Sequence, residues 1–133
     1  MRMEQHEQLK ALLAKLGDHF KVSTPELRLC NSGYSGNHGR YKPGIIFINE
    51  DSFTPYEDTL VHEFAHRLAD HRAAMTPSKK AYRPHGREFF HALLDVVEFS
   101  YVNPNFYGWQ DESEQIIRWW NKHVDQLEAS SAA

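Results

Sequence analysis

Leu9, Leu12, Leu13, Leu16 and Phe20 recur at helical spacing with polar residues between them. That pattern predicts an amphipathic helix over the first twenty residues, with Gly17 as an early stop. Pro25 ends any continuation, and Glu26-Leu27-Arg28-Leu29-Cys30 alternates as a short strand does. Asn31-Ser32-Gly33, the run Ser35 to Gly39, and Pro43-Gly44 read as turns, with Tyr41 on a strand between them. Ile45-Ile46-Phe47-Ile48-Asn49 carries the strongest strand signal in the chain.

The period then changes. Thr54-Pro55-Tyr56-Glu57 offers an N-cap, a proline at the first helical position and a glutamate placed for a capping box. Leu60, Val61, Phe64, Leu68 and Ala69 extend this helix to about Arg72, and a polar, basic loop runs from Ala73 to Pro84. A further helix is expected from His85 to about Tyr101, burying Phe89, Phe90, Leu93, Leu94 and Val97. After the turn at Asn103-Pro104-Asn105, Asp111 and Glu114 form another capping signature. Ile116, Ile117, Trp120, Val124 and Leu127 mark the last helix, and residues 129–133 read as a frayed tail. A helix, a few short strands and then three helices, without an internal repeat, predict an α+β fold with an antiparallel or mixed sheet.

At 133 residues the expected organisation is a single domain. An apolar share of 41% is ordinary for a packed chain, and a formal charge of -3 argues against coating nucleic acid or membrane by charge alone. The single cysteine, Cys30, cannot build an internal disulfide or a zinc ribbon. Met1 to His6 carries no apolar signal core, and no apolar run approaches membrane-spanning length, so a reducing cytoplasm is the expected compartment.

Candidate chemistry lies in His62-Glu63-Phe64-Ala65-His66. Two histidines four apart on a helix project from one face and can bind one ion, while Glu63, about 100° round from His62, can hold a water without occupying the metal. Catalytic zinc takes three protein ligands and leaves the fourth position open. His71, His85, Glu88 and His91 are the candidates for the third. The metzincin pattern HExxHxxGxxH fails, because its last two positions are Ala69 and Arg72 and His71 is out of register. His85 is the better placed, since a loop can return the next helix across the metal; Glu88 remains the glutamate alternative.

HExxH followed by a basic loop and then His85-Gly86-Arg87-Glu88-Phe89 resembles the SprT-like (Spartan-type) metallopeptidases over roughly Leu27 to Leu94. The resemblance implies a small zincin-like domain, with the short sheet packed on the HExxH helix. It implies Zn2+ held by His62, His66 and His85, and Glu63 as the general base of peptide hydrolysis. The expected partner is a protein or peptide substrate, including unfolded or DNA-associated proteins. Many relatives carry a cysteine-rich zinc ribbon after the catalytic part, which this chain cannot form.

Other readings are a zinc-binding interaction module without turnover, and a zinc amide hydrolase acting on a small substrate with Cys30 as a ligand. Oxyanion donors are sought among Tyr82, His91, Tyr101 and Tyr107, and the strand Ile45 to Asn49 is a candidate edge for an extended substrate. Arg67, Arg72, Lys79, Lys80, Arg83 and Arg87 are set against one acid, Asp70. This basic 67–87 segment is a candidate DNA contact, although a solvated face is the commoner reason for such a run. Trp109, Trp119 and Trp120 read first as packing residues.

Overall fold

A computed structural model of the chain describes residues 1–31, 39–51, 55–75, 87–100, 118–119, 121–123 and 125–126. The elements are α1 (Met3–Phe20), β1 (Glu26–Cys30), β2 (Gly39–Lys42), β3 (Ile45–Asn49), α2 (Tyr56–Ala74) and α3 (Arg87–Ser100). Of the last expected helix, the described residues between 118 and 126 are helical. The 129–133 tail lies outside the described residues.

Gly17 does not stop α1, which continues to Phe20 and ends with Lys21 in the left-handed region at φ 58°. The amide of Val22 donates to the Gly17 carbonyl at 3.1 Å, closing the helix end. Gly17 is buried there, and a Cβ on it would lie 2.4 Å from Oγ1 of Thr24. Close approach of the returning chain, not a helix stop, is what requires glycine.

The three strands form one mixed sheet in the order β1-β3-β2, with β1 parallel and β2 antiparallel to β3. β3 therefore lies between two strands, which corrects its reading as a substrate edge; among the described residues the outer strands are β1 and β2. Along β3, half-buried Ile45 and Phe47 alternate with buried Ile46 and Ile48. Pro43 and Gly44 join β2 to β3, and Gly44 at φ +84° supplies the positive dihedral that the turn needs. The register puts Leu27, Ile46 and Tyr41 in one row across the sheet, and Leu29, Ile48 and Gly39 in the next row on the same face. Ile46 and Ile48 are fully buried, and α2 packs against β2 and β3.

α2 begins at Tyr56 with Pro55 as its N-cap residue, one position later than the expected cap at Thr54, which lies outside the described residues. It runs two residues past Arg72, to Ala74. Glu57 and Asp58 in its first turn, and His71 and Arg72 in its last, match the helix dipole. Every residue from Thr59 to His66 is buried, because α1, the sheet and α3 all pack on this helix. α2 is thus a central helix, and polar residues on it stand inside the core. No described helix is long and apolar enough to cross a membrane.

Candidate metal centre

Helical spacing places Thr59, Glu63, His66 and Asp70 along one stripe of α2, four, three and four residues apart. β2 lies along that stripe. A Cβ built on Gly39 would meet Cγ2 of Thr59 at 2.4 Å, the carbonyl oxygen of Phe47 at 2.8 Å and Cγ of Glu63 at 3.5 Å. Two residues on, the Tyr41 ring lies nearly parallel to the His66 imidazole, centroids 6.4 Å apart, and its hydroxyl donates to Oδ2 of Asp70 at 3.2 Å. Period-two alternation on β2 thus puts glycine beside the glutamate and tyrosine beside the histidine.

The other flank of the site belongs to α3. Phe89, in its first turn, stacks on His66 at 4.2 Å between centroids and tilts against His62 at 5.2 Å. Between these walls, one ligand atom from each of His62, Glu63 and His66 lies within 4.8 Å of the others. Nε2 of His62 is 3.6 Å from Oε1 of Glu63, and the two imidazoles meet edge-on at 5.0 Å. Exposure is only 7% for His62, 7% for Glu63 and 9% for His66.

Burial pushes the Glu63 carboxyl up to about 8 in the metal-free protein. Gathering two imidazoles and a carboxyl in an apolar interior is costly unless something compensates, and a divalent cation among the donors would do so. Imidazole donors suit a transition ion such as zinc, whereas calcium and magnesium take oxygen ligands. The group can hold a metal ion.

Linkage gives the buried glutamate a measurable signature. Its ordinary value is 4.5, so between about 4.5 and 8 the folded metal-free chain keeps a proton that the unfolded chain releases. Stability from this group is therefore fully present below about 4.5 and is lost as pH rises through about 8. The thermal midpoint of the metal-free protein is expected to fall across that window. Glu63→Gln should flatten the slope, and an equally steep slope in that variant would assign the titration to another group.

His85 lies outside the described residues, as do Tyr82, Tyr101 and Tyr107. Glu88 is exposed and is not in the His62–Glu63–His66 group. His91 is exposed too, two residues from the buried Phe89 and so ~200° round the helix, which removes it as an oxyanion donor from this flank. His71 is half-buried on α2 outside the group. Cys30 also stands outside it; its thiol donates to the Ile48 carbonyl at 3.5 Å, and burial raises its pKa. The sulfur ligand of the amide-hydrolase reading is thus not among the donors that this group brings together.

Three cations of the basic segment are engaged by protein groups. Arg67 donates to the hydroxyl of Ser23 at 2.8 Å, Arg72 pairs with Asp95 at 2.6 Å, and Arg87 lies over the Trp119 ring at 5.0 Å. Trp119 also packs against Phe90, in keeping with its expected packing role. Lys79, Lys80 and Arg83 lie outside the described residues.

Comparison with protein-family models, curated proteins and solved structures gives no match to this chain. What stands is a His-Glu-His group with HExxH spacing on the central helix of an α+β fold. Gly39, Tyr41 and Phe89 were not singled out by spacing as site residues. For Gly39 and Tyr41 the available signal was their alternation on β2, the strand that pairs with β3 ahead of the motif.

Proposed function

We propose that the chain is a zinc-dependent metalloendopeptidase of the SprT-like kind, with His62, His66 and His85 as zinc ligands and Glu63 as general base. The observation that carries this reading is the convergence of His62, Glu63 and His66 inside the core, with a carboxyl beside two imidazoles. A zinc that only staples a fold fills its coordination with protein ligands and has no need of a neighbouring base. His85 comes from the resemblance, and in the sequence it precedes Phe89 by four residues.

Zinc held there would supply Lewis acidity, polarising a peptide carbonyl and bringing the pKa of a coordinated water to about 7. With the charge of a bound zinc beside it favouring the ionised form, the Glu63 carboxylate would take the proton of the attacking water and return it to the departing amine nitrogen. Its burial keeps bulk water from competing for that proton. Tyr41 is committed to Asp70, and burial followed by the Asp70 charge pushes its phenol up to about 12, so it serves as a neutral wall.

Among the described residues no strand pairs with the outer edge of β2, which passes Glu63 at Gly39 and His66 at Tyr41. An extended polypeptide added to that edge would be held through its backbone, a mode tolerant of side chains. Unfolded segments of proteins, including proteins on DNA, are the substrate class that fits.

The third ligand supplies the test. His85→Ala is expected to weaken zinc binding by more than ~100-fold in competition with a chromophoric chelator and to abolish casein hydrolysis. Glu88→Ala should change either by less than about threefold, as expected of an exposed side chain outside the group. The reverse ranking would replace the SprT-like site with a glutamate-liganded one.

A further inference from the structure

Phe89 is fully buried in the first turn of α3 and touches both histidines of the metal group. Its ring is close to coplanar with His66, at 27°, and inclined to His62 at 55°. An imidazole turns about its outer torsion in a broad, shallow well, so a pair of them in an open cavity has no fixed aim. An aromatic ring packed against each limits that freedom, with one ligand atom of each histidine within 4.8 Å of a Glu63 oxygen. We infer that Phe89 is a positioning residue, which holds the His62 and His66 imidazoles in ligating orientation and so couples the placement of α3 to metal affinity. This rests on the metal reading above.

The rival role is plain space-filling. Phe90, Ala92, Leu93 and Val96 are also buried on α3, so the helix has other anchors and Phe89 variants should fold. An aliphatic side chain of similar bulk fills the core without presenting a plane, and that difference separates the two roles.

The experiment uses the full chain with Phe89→Leu and Phe89→Met. Zn2+ affinity is read by competition with a chromophoric chelator, and the ligand field by visible absorption of the Co2+-loaded protein. The thermal midpoint of the metal-free form reports packing. Both variants are expected to lose about tenfold in Zn2+ affinity and to shift the Co2+ bands, a loss typical for a group that orients a metal ligand. Phe89→Met is unbranched and adaptable, so it carries the same expectation should Phe89→Leu fail to fold. Affinity within about twofold of the parent, with unchanged Co2+ bands and only a lower metal-free midpoint, would overturn the inference and leave Phe89 as core filling. A parent chain that binds no Zn2+ would overturn the metal reading, and this inference with it.

Discussion

Glu63→Gln is expected to abolish peptide hydrolysis while leaving fold and zinc in place. The expected loss is about a hundredfold or more in turnover, the usual contribution of a general base. Three features make this substitution clean. Burial keeps the metal-free carboxyl largely protonated near neutral pH, so the amide replaces a neutral group of the same shape and brings no new buried charge. The flanking histidines keep their nitrogens, so metal content should match the parent. Gly39 faces the aliphatic part of the side chain, where an added Cβ would come within 3.5 Å of Cγ, and glutamine shares that part. Steady-state hydrolysis of an unfolded protein, alongside zinc content, checks the expectation. Unchanged turnover with a full complement of zinc would place the base elsewhere.

His62→Ala is expected to have the largest effect on the metal. It removes one donor from a group whose ligand atoms lie within 4.8 Å of one another, and it opens a cavity against Phe89. Losing a ligand should cost more than the ~100-fold ceiling usual for groups that merely orient one. Chelator competition would show the drop, with hydrolysis falling in parallel. The chain should remain folded, because the core of Leu60, Phe64, Leu68 and Leu93 does not depend on the imidazole. Parent-like zinc affinity in this variant would contradict the assignment of His62.

What was legible in the sequence is what local geometry dictates. Spacing of four on a helix brings His62 and His66 to one face wherever the helix sits, and the glutamate between them follows from the helical turn. The strand limits at Glu26–Cys30 and Ile45–Asn49 follow from alternation and apolar runs bounded by turn residues. Sheet order is different, because it depends on pairings between distant segments. The run Ile45-Ile46-Phe47-Ile48 marks a strand, but its apolar character speaks to the faces of the sheet and not to whether strands pair on both of its edges.

Glycine is ambiguous in the same way. At Gly17 it serves the approach of Val22 and Thr24, a contact that periodicity cannot foresee, and not a helix stop. Phe89 was legible as a core residue but not as a wall of the metal group. That role arises only where α3 crosses α2.

Gently purified parent protein, prepared without chelators, offers the most direct test. Elemental analysis is expected to find one zinc per chain, removable by a strong chelator with loss of casein hydrolysis and restored by adding zinc back. A chain that purifies and hydrolyses without metal, or that takes up no zinc when offered it, would contradict the account.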